Sequence, residues 1–443
     1  MKVIVIGGVA AGMSAASKIK REQPDARVTV YERGAFLSYG ACGLPYYVGD
    51  FNHDPDKLIA RTKKQFDDMG IESLLGHQVT AVDTLNKTVS VRRLSDGAEL
   101  TDTYDKLMIA CGCHAVAPPI EGIDNPGVFF LHTMEDGLFF KKIAQNPAVE
   151  NVLVVGGGYV GVEMCEAFLN LGKKVTLIEG GERVLTPFEP EFSKLAAEEL
   201  MAQGVELHTG EPVLKIEELG SCRRIHTAKG SYDADIILMS AGIRPATEFL
   251  KDSGLSFAKN GAIFVDRQMR TAVKDIYAAG DCAVCYNKVT GEDFFLPLGT
   301  VANKCGRIAG GNIAGGTEEF CGALGSAAIK VCRIEMSRTG MSEADAKRLK
   351  IDYKTKIIAA NDHPAYYPDQ SLLMIKLIYE NGTRRLLGAN IGGQKGAVLR
   401  GDVFALAIHS GMTTDELGMV DLAYAPPFAT VWDAVHIAAN AAK

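Results

Sequence analysis

The stretch Val3-Ile4-Val5-Ile6-Gly7-Gly8-Val9-Ala10-Ala11-Gly12 decides the fold of this chain. Four branched, uncharged residues in a row read as a strand buried on both faces, since such a run offers no polar side to water. Gly7 and Gly12 bracket a tight turn. The alanine-rich segment beyond reads as a helix whose first N–H groups face a pyrophosphate. The same plan returns as Val152-Leu153-Val154-Val155-Gly156-Gly157-Gly158-Tyr159-Val160-Gly161. Each copy is followed by a second strand that ends in an acid: Val28-Thr29-Val30-Tyr31-Glu32 and Lys174-Val175-Thr176-Leu177-Ile178-Glu179. This duplication predicts an α/β chain with two Rossmann-like nucleotide-binding domains, each a parallel sheet covered by helices.

Size and charge set the outer bounds. A chain of 443 residues exceeds one hydrophobic core, so two or three domains are expected. A net charge of −7 argues against a nucleic-acid partner. No apolar run reaches the ~18 residues of a membrane span. Lys2 and the apolar run to Ala16 imitate a signal peptide, but strand, glycine turn and basic helix explain them better. The ten cysteines do not form a disulfide framework, and Cys282-Ala283-Val284-Cys285 lacks the partner pair that a zinc site needs, so no metal is expected. A reduced, cytoplasmic setting is expected.

Leu107 to Gly112 and Ile236 to Gly242 are matching apolar strands that end in small residues, where the chain is expected to pass between domains. Asp275 to Cys282 reads as a return strand into the first domain. From about Gly322 onward alternating strands and then helices, without a glycine fingerprint, read as a separate α+β domain.

Between the fingerprints lies Ser38-Tyr39-Gly40-Ala41-Cys42-Gly43-Leu44-Pro45-Tyr46-Tyr47. Two dinucleotides on one chain imply electrons passing from one to the other, and Cys42 is where they would go next. Its position directly behind the first fingerprint assigns the flavin, FAD, to that site. The complete second fingerprint then takes the nicotinamide. There Glu179 can accept hydrogen bonds from both ribose hydroxyls of NADH and would repel a 2′-phosphate, so NADH is favoured over NADPH, with Arg183 close enough to weaken the preference. A C-x4-C pair would need a second cysteine at position 47, which is Tyr47. A single redox cysteine can form a mixed disulfide or pass through sulfenic acid. Both need a thiolate, which a helix start at Cys42, a nearby cation and a hydrogen bond from Ser38 would favour.

At these residues the chain resembles the pyridine nucleotide-disulfide oxidoreductases, in the single-cysteine branch of coenzyme A-disulfide reductases, NADH peroxidases and NADH oxidases. The resemblance runs over both fingerprints, Ser38 to Tyr47, Thr271 to Asp281, and a C-terminal dimerisation domain. It implies an FAD-binding domain of residues 1–113 and 245–321, an NAD-binding domain of 114–244, and a dimerisation domain of 322–443. The FAD site would comprise Gly7, Val9, Ala10, Ala11, Gly12, Glu32 and Arg33, with Ala110, Gly112, Gly280 and Asp281. The NAD site would comprise Gly156, Gly158, Tyr159, Val160, Gly161, Glu179 and Gly242.

Within the branch the coenzyme A enzymes match best. Peroxidases and oxidases carry a histidine in the first glycine turn, where this chain has Ala10. Tyr424-Ala425-Pro426-Pro427-Phe428 and His363-Pro364-Ala365-Tyr366-Tyr367-Pro368 resemble the two tyrosine motifs that reach the partner subunit's cysteine in a homodimer. Ala41 departs from the asparagine often found before that cysteine. The expected function is FAD-dependent reduction by NADH of a coenzyme A disulfide, or a related small-thiol disulfide or persulfide. Cys42, Ser38, Tyr366 and Tyr424 would be catalytic, and Lys18, Lys20, Arg21 and Arg61 would meet coenzyme A phosphates. An NADH oxidase working through a cysteine sulfenic acid, or a slow redox sensor, are the alternatives.

Overall fold

The computed structural model describes residues 1–443. Val3, Ile4 and Val5 are fully buried, which places strand Lys2–Ile6 at the centre of its sheet. The sheet is parallel and five-stranded, in the order Ile276–Ala278, Lys106–Ile109, Lys2–Ile6, Arg27–Glu32, Ile71–Leu75. The return strand from the far end of the sequence is therefore an edge of the first sheet. The second copy repeats the plan. Asn151–Val155 lies between Lys174–Ile178 and Ile236–Met239, with Glu206–His208 and Val128–Phe129 at the edges, all parallel.

The duplication extends to elements that the sequence pattern did not announce. Each parallel sheet is accompanied by a three-stranded antiparallel meander: His77–Asp83, Thr88–Arg93 and Glu99–Thr103 in the first, Val213–Leu219, Cys222–Thr227 and Ser231–Ala234 in the second. Their half-exposed, mixed strands give a weaker periodic signal than the buried parallel ones. The two passages between the sheets run side by side. Cys113–Ala115 pairs antiparallel with Ile243–Pro245, and the carbonyls of Gly112 and Gly242 accept from Ala246 and Val116 at 3.0 and 2.9 Å.

Four helices border the sites: α1 (Ala10–Glu22), α2 (Leu44–Val48), α3 (Tyr159–Asn170) and α4 (Gly299–Ile313). Helix α4 lies on α1 backbone to backbone. A Cβ on Gly306 would stand 2.3 Å from the Ala11 carbonyl oxygen, and one on Gly310 would stand 2.5 Å from that of Ala15. Only glycine permits this approach.

The C-terminal unit is a five-stranded antiparallel sheet, in the order Ala327–Val331, Ile334–Gly340, Leu386–Gly393, Leu372–Glu380, Tyr353–Asn361, backed by helix Ala397–Ser410. Its Ile329, Val331 and Met336 share one apolar core with Leu44 and Val48 of α2 and with the second parallel sheet. One buried cation reinforces that seam. Lys376 is 2% exposed and sits among Glu189, Glu191 and Glu343 at 2.9, 3.1 and 2.6 Å. Burial raises the Glu343 carboxyl, but its bonds to Lys376 and Tyr353 outweigh that and hold it below the usual range.

Lys376→Ala should cost about 3–5 kcal/mol, because it strands buried carboxylates without their counter-charge; chemical denaturation curves measure this. A carboxyl depressed in the fold contributes stability above its unfolded pKa of about 4.3 and loses it as pH falls. The wild-type advantage over the variant should therefore shrink on the acid side and be complete at neutrality.

Candidate active site and its nucleotide clefts

The two glycine turns are built alike at their first and last glycines. Gly7 has φ +100° and Gly156 φ +105°, and a Cβ on either would fall 2.2 or 2.3 Å from the carbonyl oxygen of Ala110 or Ser240. Gly12 and Gly161 let each helix start close over its own turn. The acids at the ends of the second strands act as latches. Glu32 accepts from the N–H of Gly8 and of Gly34, both at 2.7 Å. Glu179 accepts from Gly157 and Gly181, both at 2.6 Å. These charge-assisted bonds pin each glycine loop to its sheet. Each carboxylate keeps further lone pairs beyond these bonds. Arg183 does not face a nucleotide phosphate beside Glu179: its guanidinium donates to the carbonyls of Phe188 and Thr186 and to Ser193.

In the first domain a cleft of about 240 Å³ is lined by Gly7, Glu32, Arg33, Cys111 and His114. Gly280, with φ +85°, brings the return strand to the start of α1, where a Cβ would meet Ala11 at 3.0 Å. Asp281 is thereby delivered to the same domain, half-buried, accepting from the Cys113 thiol at 3.6 Å. Burial raises its carboxyl, and no cation is paired with it. The narrow glycine cradle, the latched acid and the delivered carboxylate fit a flavin dinucleotide. Val9 is the residue that enters α1, and Ala10 and Ala11 begin it. Tyr159 and Val160 begin α3 in the second domain, the former packed on Phe188.

Cys42 is exposed, in a single 3-10 turn (Ala41–Gly43) that runs into α2. The expected thiolate-stabilising surroundings are absent from the chain around it. Partial burial, Glu163 and Asp281 all push the thiol up, and its own backbone bond only partly offsets them. The turn is too short to supply a helix dipole, and no cation faces the sulfur. Ser38 does not donate to it either. With φ 48° its backbone turns it into a second cleft.

That cleft, about 520 Å³, is rich in basic side chains. It runs from Ser38–Gly40 past Ala10, Ser14 and Ser17 to Arg21, Arg61, Lys304 and Arg307. Ser17 is 6% exposed and its hydroxyl has no partner in the chain. Of the four expected cations, Arg21 and Arg61 line the cleft, but Lys18 and Lys20 do not. Lys18 is buried and paired with Glu22 and Glu318, and Lys20 caps carbonyls at the end of α1, including that of Ala26 at 3.0 Å. Lys304 and Arg307 were missed. They come from α4, nearly 300 residues away, and the Gly306/Gly310 spacing was the available signal that this helix lies on α1.

Tyr366 and Tyr424 meet: their hydroxyls are 3.0 Å apart. They are 73% and 44% exposed and neither bonds Cys42 of its own chain. Leu399, Phe428, Val431 and Trp432 on the same C-terminal unit are also exposed.

A family model described as pyridine nucleotide-disulphide oxidoreductase matches residues 1–302, and one for the dimerisation domain of that family matches 326–435. An NAD(P)H coenzyme A polysulfide/persulfide reductase of Pyrococcus horikoshii is 38% identical over all of this chain and 98% of its own. An NADH oxidase of Enterococcus faecalis is 32% identical over all of this chain and 99% of its own. The solved NAD-dependent persulfide reductase of A. fulgidus superposes with a TM-score of 0.95 at 39% identity, over 99% of this chain and 82% of that one. No helix is long and apolar enough to cross a membrane.

Glu179→Ala removes both latches of the second glycine loop, at the expected nicotinamide site. The KM for NADH should rise about ten- to a hundredfold, while flavin content, read from visible absorbance, stays that of the wild type.

Proposed function

Because the chain belongs to the pyridine nucleotide-disulphide oxidoreductase family, we propose that it uses NADH to reduce a coenzyme A disulfide or persulfide through Cys42. The chain is a flavin-dependent NAD(P)H oxidoreductase whose cofactors are FAD and NAD(P)H. A bound flavin supplies the two-electron link between nicotinamide and sulfur. The residues around Gly7, Glu32 and Asp281 would hold it, and those around Gly156 and Glu179 would hold the nicotinamide dinucleotide. With Arg183 tied into its own loop, the Glu179 carboxylate supports NADH over NADPH.

The observation that carries the substrate reading is the basic cleft beside Cys42. Arg21, Arg61, Lys304 and Arg307 form no ion pair in the chain, and four unpaired cations around one cleft suit a ligand rich in phosphate, as coenzyme A is. Ser17 adds an unpartnered hydroxyl to the same wall. The cleft leads to Ser38–Gly40, two residues short of Cys42, so a thiol on a long phosphorylated arm would end at the sulfur. Attack by the Cys42 thiolate on the disulfide forms a mixed disulfide and releases one thiolate. Two electrons then break that bond and release the second. Ala10, at the start of α1 on the wall of the same cleft, offers no imidazole for peroxide or oxygen chemistry.

The exposed tyrosine pair supports a homodimer in which Tyr366 and Tyr424 complete the other subunit's cysteine site. A phenol hydroxyl can hold a departing thiolate by a hydrogen bond without ionising. The exposed Leu399, Phe428, Val431 and Trp432 supply the apolar face that such a contact would cover.

Cys42→Ser should retain flavin reduction by NADH in stopped flow yet lose coenzyme A disulfide turnover. Arg61→Ala and Lys304→Ala should each raise the KM for that disulfide about tenfold and leave a phosphate-free disulfide unaffected. Wild-type disulfide turnover by Cys42→Ser would reject the reading, as would oxygen consumption that outpaces disulfide reduction in the wild type. Heterodimers of Cys42→Ser chains with Tyr366→Phe/Tyr424→Phe chains should recover part of the activity, since one site then combines an intact sulfur with intact partner phenols. Heterodimers that form but stay inactive would place the tyrosines' action within one chain.

A further inference from the structure

Helix α2 continues the turn of Cys42 and is only five residues long, too short to hold its own place. Its supports come from the elements around the second parallel sheet. Leu44 and Val48 belong to the core built on that sheet, and no residue from 41 to 52 belongs to the core on either face of the first. A Cβ on Gly137 would stand 2.7 Å from Leu44 Cδ2, and one on Gly49 would stand 2.7 Å from Cα of Ala167 in α3. Asn170, the last residue of α3, donates to the Gly49 carbonyl at 2.7 Å.

Among these contacts sits a buried lysine. Lys141, on helix Met134–Ala144, has a side chain 9% exposed. An ammonium out of water needs a partner for each of its three N–H bonds. Lys141 finds all three in one stretch: the Tyr47 carbonyl at 2.8 Å, Asp50 Oδ1 at 2.7 Å and the Asn52 carbonyl at 3.2 Å. The Tyr47 ring lies 4.2 Å from the same ammonium, a cation–π contact. Asp50 offers its carboxylate from a left-handed backbone, with φ 65°. The helix that carries Lys141 is fixed at its other end by the capping box of Thr133 and Asp136, and by Glu135, which accepts from the Ala35 N–H at 2.7 Å. Lys141, Tyr47, Asp50 and Asn52 line neither of the two clefts.

We propose that Lys141 is a positioning residue for Cys42: by gripping residues 47–52 it ties α2, and the sulfur just ahead of it, to the helices of the second sheet. The ammonium stands at the far end of α2 from the sulfur, so it sets place and not charge. Apolar packing of Leu44 and Val48 is non-directional and would let so short a helix slide. Three bonds from one ammonium fix its direction as well as its depth. A displacement of about 1 Å in a reacting group can cost about a hundredfold in rate, which is what such a grip prevents.

This inference rests on Cys42 as the reactive sulfur, and two of its three readouts need no turnover. The FAD-loaded wild type is compared with Lys141→Met, Asp50→Asn and Lys142→Met. Lys141→Met keeps an apolar stem and removes all three bonds. Asp50→Asn removes the charged bond and suits the same left-handed backbone. Lys142→Met removes a charge from the exposed neighbouring position. In Lys141→Met, amides of residues 46–52 should exchange with deuterium about tenfold faster, with those of strands Lys2–Ile6 and Asn151–Val155 unchanged. Alkylation of Cys42 by iodoacetamide at about pH 8, followed by mass spectrometry, should quicken about three- to tenfold as the freed turn opens to solvent. The kcat for coenzyme A disulfide should fall about ten- to a hundredfold, while the KM for NADH and flavin reduction by NADH stay those of the wild type. Asp50→Asn should show the same three changes to a smaller extent, and Lys142→Met none of them. If Lys141→Met loosens residues 46–52 yet leaves Cys42 alkylation and kcat unchanged, Lys141 only caps α2 and the proposal falls. Faster exchange throughout the protein overturns it too, as do equal effects in Lys142→Met. Should Lys141→Met not fold, Asp50→Asn decides on the same readings. A wild type that reduces no coenzyme A disulfide, with the exchange and alkylation changes present, rejects the substrate reading and leaves Lys141 in this role.

Discussion

Backbone touching backbone between α1 and α4 is the contact on which the site depends. Gly306 and Gly310 admit the α1 carbonyls to distances no side chain would tolerate, and Gly12 does the same for the carbonyl of Gly7. Strand, turn and two helices are thereby fixed as one rigid block. The block places Asp281 at the glycine turn, and it carries Lys304 and Arg307 to the wall that holds Arg21. A basic cleft is assembled from helices that are far apart in sequence because their backbones can approach so closely. A Cβ at either glycine would push α4 outward and open the cleft before it touched any ligand.

Much of the architecture was legible because buried parallel strands leave an unmistakable record. Val3 to Ile6 and Val152 to Val155 have no polar face, and the acids Glu32 and Glu179 stand where the second strands stop. The meanders were not legible, since their residues are half exposed and lack a clean period. Among site residues, those tied to local motif geometry have counterparts in the fold, as with the alike turns at Gly7 and Gly156 and the meeting of Tyr366 with Tyr424. Those judged by charge alone divide: Arg21 and Arg61 line the basic cleft, and Lys18 and Lys20 do not. Lys18 and Lys20 look from the sequence like Arg21, yet a helix turns each to a different side, and only the neighbours reveal which side meets acid, carbonyl or solvent. Lys304 and Arg307 depend on tertiary contact, which no local pattern records.

The surroundings of Cys42 differ from those that its expected reactivity calls for. A reactive thiol usually sits near positive charge. Around Cys42 this chain offers carboxylates instead, and Ser38 turns away. No cation of this chain balances charge on the sulfur.

The latches have a consequence for how this molecule can change over time. Glu179 holds the backbone N–H groups of Gly157 and Gly181 with one carboxylate, and its remaining lone pairs are the ones left for a ligand. On the proposed reading, cofactor choice and loop stability meet in a single side chain. A lineage drifting toward a phosphorylated nucleotide could not simply reverse the charge there. It would first need another acceptor for Gly157 and Gly181, and until one arose every intermediate sequence would carry a loosened loop. Glu32 imposes the same order of events on the other domain. Duplication has given the chain two copies of one constraint, and each makes its ligand slow to exchange for another over evolutionary time.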